Sequence, residues 1–367
     1  MKYFIIAGEK SGDMHGSNLC KSIFELDSEA VIVGWGGELM SAVGVKVLKN
    51  YHDLAFMGFW EVIKNLPKII GFLKEVKVQI LAFKPDVIIF VDYAGFNLRV
   101  AKWAKNSGFK TIYYIAPKAW AWRPDRAKVI KKYIDKLLVI FPFEKEFFEK
   151  YGIETAYVGN PLLDEIRNFK PNENFRIQNN LNSQPIIALL PGSRKQEIGK
   201  MLKEMSELTN ILPQYQWVMA GIGSMSEDIY KTEGANFKLI FDQTYDLLFH
   251  SDAAIVTSGT ATLETALFNV PQVVVYKTSN FSYQIAKRLI NISYISLVNL
   301  VSQKGVVKEL IQDEYSAENL EKEVFNLTKN TIFRENQLKE YRILKEKMGK
   351  IGASDLAAHE IYKLAKV

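Results

Sequence analysis

Residues 186–197 read Ile-Ile-Ala-Leu-Leu-Pro-Gly-Ser-Arg-Lys-Gln-Glu. The unbroken apolar run from Ile186 to Leu190 fits a parallel strand covered on both faces. Pro191 and Gly192 end it, and a helical pattern begins near Lys195. A strand that turns through Gly-Ser into a helix leaves backbone N–H groups converging on one point, a natural seat for phosphate. Arg194 at its mouth adds a permanently charged, forked donor suited to phosphate oxygens. A second strand–glycine loop–helix opens the chain. Two such junctions predict two nucleotide-type halves.

The same rhythm runs along the whole chain. In the first half, β-rich runs lie at 3–7, 30–34, 86–91, 110–115 and 136–141. In the second they lie at 186–190, 216–220, 238–241, 253–256 and 272–276. Amphipathic stretches such as 97–107 and 144–151 separate them. Strands alternating with helices predict an α/β fold with parallel sheets. A chain of 367 residues exceeds a typical single core, which favours two domains, 1–170 and 180–349. The polar, Asn-rich stretches 169–174 and 179–184 are the expected linker. The charged helical end, 350–367, places Leu356, Ile361 and Leu364 at helical spacing. It can pack on the first domain or on a partner chain.

Composition removes several function classes. The single cysteine, Cys20, excludes a disulfide framework and a cysteine-built zinc site. Four histidines without a His-Glu-x-x-His pattern argue against a zinc hydrolase. No metal or cofactor is expected. The apolar run after Lys2 is too short for a signal-peptide core. No stretch reaches the roughly 18 apolar residues that span a bilayer. A soluble or peripheral protein of the cytoplasm is expected. The net charge of +6 serves solubility or attraction to an anionic surface. Nucleic acid is the weakest reading, because no RNA-binding pattern accompanies the charge.

Several loops carry candidate chemistry. Gly8, Gly12 and Gly16 match neither the dinucleotide pattern nor a Walker A loop. Close approach of a ligand, involving Glu9, Ser11 and Gly12, explains them better than a plain turn. Asp92 ends the run 87–91, and ligands of open α/β sheets bind at carboxyl ends of strands. It is either a cap for the following turn or a general base. The loop 116–124 carries Trp120 and Trp122 among Lys118, Arg123 and, just beyond, Arg126. It plugs an interdomain core or walls a sugar or lipid site. Ser258, Gly259 and Thr260 form a third strand-to-helix junction, a phosphate seat or an ordinary helix cap. Glu264, about one turn later, can take a ribose hydroxyl pair. The apolar stretch 54–74 with Lys64, Lys68 and Lys74 is a core helix or an interfacial element. In the interfacial case Met57, Phe59 and Trp60 meet membrane or acyl chains.

In these residues the chain resembles the lipid-A-disaccharide synthases, a bacterial glycosyltransferase family of GT-B architecture. The resemblance covers nearly the whole length, in order. It includes Ala7-Gly8-Glu9-x-Ser11-Gly12-Asp13, Met57-Gly58 with Glu61-Val62, Lys84-Pro85-Asp86-Val87, and Asp92 with Phe96-Asn97. It continues through Trp120-Ala121-Trp122-Arg123, Pro142-Phe143-Glu144-Lys145, Leu189 to Arg194, and Ser258-Gly259-Thr260-Ala261. It closes with Ala286-Lys287-Arg288-Leu289 and Ser296-Leu297-Val298-Asn299-Leu300. Ala94, Ala116 and Val298 depart from the family pattern without removing a charged or nucleophilic group.

The resemblance implies two Rossmann-like domains facing across a cleft. It implies transfer from UDP-2,3-diacylglucosamine to the 6-hydroxyl of 2,3-diacylglucosamine 1-phosphate, with inversion and release of UDP. Asp92 is then the base, with Glu9 in the catalytic set and Ser11 beside the reacting sugars. Gly192, Ser193, Arg194 and the start Ser258–Thr260 hold the diphosphate without a metal. Glu264 holds ribose or uracil, and Asn299 is a nucleotide-side contact. The resemblance also implies peripheral attachment to the anionic inner face of the cytoplasmic membrane, and a homodimer that exchanges C-terminal elements. Another GT-B enzyme, such as a UDP-sugar 2-epimerase, would be expected to bring a histidine to the site. The Gly192 and Ser258 loops contain none.

Overall fold

A computed structural model of the chain describes residues 1–54, 66–122, 125–279, 283–284, 293–349 and 351–366. It divides into two compact units, Met1–Pro161 with Lys350–Val367, and Leu162–Gly349. The first is built on β1 (Lys2–Ala7), β2 (Val31–Gly36), β3 (Lys46–Asn50), β4 (Val87–Val91), β5 (Thr111–Tyr114), β6 (Lys136–Val139) and β7 (Thr155–Tyr157). The second is built on β8 (Ile186–Leu190), β9 (Gln216–Gly221), β10 (Lys238–Phe241), β11 (Ala253–Thr257), β12 (Gln272–Tyr276) and β13 (Glu309–Ile311).

Every strand pair is parallel. The sheet orders are β3-β2-β1-β4-β5-β6-β7 and β10-β9-β8-β11-β12-β13. Each order reverses beside the first strand of its unit, between β1 and β4 and between β8 and β11. At such a point the following helices leave on opposite faces and open a crevice at the carboxyl ends. The central strands β4, β8 and β11 are buried at every position, as their continuous apolar runs require. In the first unit the helix Lys10–Leu26 covers one face through Leu19, Cys20 and Ile23. The helix Ala94–Asn106 covers the other through Val100, Ala101 and Ala104. β3, β7 and β13 are absent from the sequence expectation. All three are edge strands, short or lysine-bearing, with little apolar pattern to read.

Two further expectations need correction. The division falls after Pro161, ahead of the 1–170 boundary, and the stretches 169–174 and 179–184 both belong to the second unit. Leu162 and Leu163 are buried, and the Phe169 ring stands edge-on to Tyr245 and Phe268 at 5.6 and 5.5 Å. Phe175 is fully buried and stacks on His250 at 5.2 Å. The asparagines there shape turns: Asn172 Oδ1 accepts from the Asn174 N–H, and Asn180 takes a left-handed φ of 51°. The C-terminal helix Ala353–Lys366 packs on the helix Lys10–Leu26 through Ala357, Ala358, Ile361 and Ala365. Leu356, expected on its apolar face, is 47% exposed. Ser22 donates to Asp355 at 2.6 Å, and Lys136 pairs with Glu360 at 2.6 Å, so polar contacts select the face as well. Among the described residues no helix is long and apolar enough to cross a membrane.

Asp13 ties the first unit together near its switch point. It is 1% exposed, and its carboxylate accepts the N–H groups of Gly37 at 2.6 Å, Leu39 at 3.1 Å and Met40 at 3.2 Å. It thereby caps the short helix Glu38–Ala42 from the helix Lys10–Leu26. Asp13→Ala orphans these buried donors and should cost roughly 3 kcal/mol or more. Urea unfolding of the full chain, followed by circular dichroism, should show the first-unit transition moved to lower denaturant. An unmoved transition refutes the anchoring role.

Candidate active site

At the first unit's switch point the chain leaves β1 through Gly8 and β4 through Asp92-Tyr93. Asp92 and Tyr93 are consecutive left-handed residues with φ 44° and 48°. Non-glycine residues there are strained and persist only when their surroundings hold them. Here the hold is explicit. The Asp92 N–H donates to Tyr114 O at 3.1 Å. The Asp92 carbonyl accepts from Asn97 Nδ2 at 2.8 Å and from the Tyr113 hydroxyl. The Tyr93 hydroxyl donates to Leu54 O at 3.1 Å. A Cβ on Gly8 would stand 2.2 Å from the Tyr93 ring, so the two loops meet only because residue 8 is glycine.

The N-cap of the helix Ala94–Asn106 is Tyr93, with no side-chain capping bond, so Asp92 is not its cap. Its carboxyl is raised above the usual aspartate range by burial, and the Lys118 charge opposes that shift. Glu9 is the N-cap residue of the helix Lys10–Leu26 and makes no side-chain cap bond there. Glu9 and Ser11 are exposed, and Gly12 is buried against Ala7. Burial holds the Tyr113 hydroxyl well above its usual range, and the Asp92 charge adds to the shift.

Trp120 is half-buried and tied to the first unit. Its Nε1–H donates to Glu144 Oε1 at 3.0 Å, and the Phe143 ring stands perpendicular to it at 5.0 Å. Glu144 is 1% exposed and also accepts the N–H groups of Ile140 and Phe141, at 3.3 and 3.1 Å. Burial pushes its carboxyl up to about 7, opposed by the Trp120 bond, the backbone donors and the Lys118 charge. The Lys118 charge thus favours the ionised form of both Asp92 and Glu144.

In the second unit β8 leads through Pro191 to Gly192, at φ 113°. A Cβ there would stand 3.1 Å from the Glu197 side chain. Ser193 and Arg194 are exposed. Arg194 is the N-cap residue of the helix Lys195–Ile211, which has no side-chain cap, and its guanidinium pairs with Glu197 at 2.6 Å while 66% exposed. Beside it β11 leads to Gly259, the N-cap of the helix Thr260–Leu267, again without a side-chain cap. Neither Ser258 nor Thr260 caps this helix, contrary to the simplest sequence expectation: Ser258 Oγ donates to Ile295 O at 2.9 Å, and Thr260 is exposed. Two helix starts without side-chain caps thus end at one switch point, with their N–H groups turned toward a potential anion. Glu264, half-buried one turn on, accepts from the Tyr245 hydroxyl at 3.1 Å. Burial raises its carboxyl.

One expected contact is overturned. Asn299 is 1% exposed and has all its side-chain capacity spent inside the unit. Nδ2 donates to Val307 O at 2.9 Å and Glu309 Oε1 at 2.8 Å, while Oδ1 accepts from Val306 and Val307 N–H at 2.7 and 2.9 Å. It holds the loop before β13 and offers a nucleotide nothing. Met57, Phe59 and Trp60, with Arg123, lie outside the described residues. Sequence reading missed Glu165 and Tyr245. Neither belongs to a motif, and their proximity to Glu264 emerges only from the fold.

A sequence model of the lipid-A-disaccharide synthetase family matches residues 3–361. The lipid-A-disaccharide synthase of Geobacter sulfurreducens is 34% identical over 366 residues, covering 97% of this chain and 95% of that protein. That of Coxiella burnetii is 35% identical over 366 residues, covering 98% and 97%. Among solved structures, the S. aureus MnaA–UDP structure is similar at a TM-score of 0.68 and 15% identity, covering 100% of this chain and 97% of that one. The UDP-GlcNAc 2-epimerase of Neisseria meningitidis, bound to UDP-GlcNAc, is similar at a TM-score of 0.60 and 15% identity, with 100% of both chains covered.

The buried Glu144 makes a pH prediction. Its folded value of about 7 exceeds the ordinary 4.5, so the native state holds the extra proton between those values. Stability contributed by this group is present below the unfolded value and is lost as pH rises through about 7. The loss is of order 3 kcal/mol. Denaturation of the full chain at about pH 5 and about pH 8 should show it, and Glu144→Gln should flatten the difference. An equally steep dependence in Glu144→Gln rules this carboxyl out as the source.

Proposed function

The chain belongs to the lipid-A-disaccharide synthase family and is a glycosyltransferase, and we propose that it joins UDP-2,3-diacylglucosamine to 2,3-diacylglucosamine 1-phosphate. The observation that carries this reading is positional. The loops expected to hold a base and a diphosphate sit at the carboxyl ends of the strands flanking each switch point. In the proposed step the acceptor 6-hydroxyl attacks the anomeric carbon opposite the leaving group. Asp92 takes the hydroxyl proton, the bond from the anomeric carbon to the UDP oxygen breaks, and UDP leaves with the electron pair. The anomeric centre inverts.

The local physics supports these roles. Burial of Asp92 raises its basicity, and the Lys118 charge favours the ionised form that can accept a proton. The Gly192–Ser193 turn and the helix starts at Lys195 and Thr260 supply N–H donors for the diphosphate. Arg194 must exchange Glu197 for phosphate, and an ion pair this exposed is cheap to exchange. Glu264 accepts the ribose hydroxyls, and Glu9 with Ser11 lines the sugar side. Relatives in fold that were solved with UDP or UDP-GlcNAc make a UDP-sugar the natural donor.

Mass spectrometry of the two lipid substrates incubated with the enzyme should find the tetraacyl disaccharide phosphate and UDP, with EDTA present or absent. Asp92→Asn should lower kcat by roughly 10²–10⁴ with a much smaller change in KM. Full turnover in that variant removes Asp92 as the base.

Both substrates carry acyl chains, and the protein is proposed to attach peripherally to the inner face of the cytoplasmic membrane. The net charge of +6 and the exposed Ile70, Val78 and Leu81 on the helix Leu66–Phe83 support this. Sedimentation with anionic vesicles should weaken with added salt and with Phe59→Ser and Trp60→Ser. Insensitivity to both refutes the attachment.

A further inference from the structure

Three polar side chains of the second unit converge from separate helices. Tyr245, on Thr244–Phe249, donates its hydroxyl to Glu264 Oε1 at 3.1 Å and lies 3.4 Å from Glu165 Oε2. Glu264 is on the helix that follows β11, and Glu165 is on Pro161–Asn168. The Tyr245 ring is boxed by Phe169 at 5.6 Å, edge-on, and by Phe268 at 5.1 Å. The two phenylalanine rings also meet each other at 5.5 Å. The phenol oxygen lies on the axis of its ring, so fixing the ring fixes the hydroxyl between the two carboxyls.

A phenol has one proton to donate and can also accept. With both carboxyls ionised, two like charges would compete for that single proton. Burial and the neighbouring acids Glu264 and Asp164 push Glu165 up to about 7, opposed by the Tyr245 bond. A protonated Glu165 can donate to the Tyr245 oxygen while Tyr245 donates to Glu264. The resulting chain of bonds runs one way, from Glu165 through Tyr245 to Glu264. It holds Oε1 of Glu264 and leaves Oε2 to meet a ligand.

We infer that Tyr245 and Glu165 are positioning residues that aim the Glu264 carboxylate at the ribose hydroxyls of the UDP-sugar. The inference rests on the assignment of Glu264 to the ribose, and the two can be tested apart. A merely structural link, tying the helix Pro161–Asn168 to its unit, would affect thermal stability without affecting how the ribose is read.

The probes are UDP and 2′,3′-dideoxy-UDP, titrated calorimetrically into the full chain. The wild type should prefer UDP by about tenfold or more, the worth of a hydrogen bond to a charged group. Glu264→Gln should collapse that preference; if it does not, the ribose assignment itself fails. With the preference lost in Glu264→Gln, Tyr245→Phe should narrow it by at least about threefold and leave the dideoxy-UDP affinity nearly unchanged. An undiminished preference in Tyr245→Phe, even with a lowered Tm, overturns the positioning role alone. A second variant reads the same network without relying on phenylalanine being tolerated at 245. The wild-type preference should shrink between about pH 6 and about pH 8 as Glu165 ionises and competes for the phenol proton. Phosphate ionisation is common to both probes and cancels. Glu165→Gln should hold the preference constant across that range, and an unaltered pH dependence in this variant overturns the role of Glu165.

Discussion

A parallel sheet must be covered on both faces, and this requirement organises the molecule. The central strands carry apolar side chains on both sides, so helices must cross over on each face. Where the crossovers change direction, the carboxyl ends of two neighbouring strands are left uncovered. Gly8 and Asp92 occupy one such point, and Gly192 and Gly259 the other. The polar loops can stay open to a ligand because the sheet beneath them supplies the stability.

The two switch points use that opening differently. At the first, acids gather, and the chain spends backbone strain to place one of them. Asp92 and Tyr93 take left-handed conformations, and buried Asn97 and Tyr113 fasten the Asp92 carbonyl. With the carbonyl tied down, the strained turn is held in place by the unit itself. At the second, the useful groups are donors: helix starts without side-chain caps and an arginine whose only cost of release is an exposed pair with Glu197. The proposed roles follow this difference, with a base on the first unit and an anion seat on the second.

The sequence could be read where a residue's role follows from its neighbours in the chain. The strand Ile186–Leu190, the turn at Gly192 and the helix after Arg194 were all legible, because apolar run, glycine and helical period lie in one short stretch. Reading failed where the partner lies far along the chain. Phe169 reads as part of a polar linker until Tyr245 and Phe268 meet its ring. Asn299 reads as a ligand contact, yet its four bonds all go to the loop and strand several residues later. Tyr245 has no motif at all, and its meaning depends on Glu165 and Glu264 arriving from either side. A buried polar side chain must find partners, but the sequence does not say which ones.

The same asymmetry explains why the fold cannot name the reaction by itself. Proteins that share these sheets at about one identical residue in seven include epimerases as well as glycosyltransferases. What persists across them is the requirement for covered parallel strands, which many sequences meet. What can differ is a handful of side chains at the open strand ends, and those are free to change because they contribute little to the core. Asp92 is informative for this reason. It is held in a left-handed backbone, away from any helix-capping duty, in a position that glycine would occupy with less strain. A residue in such a backbone is a natural place to look for chemistry, and the chemistry proposed for Asp92 is acceptance of a proton.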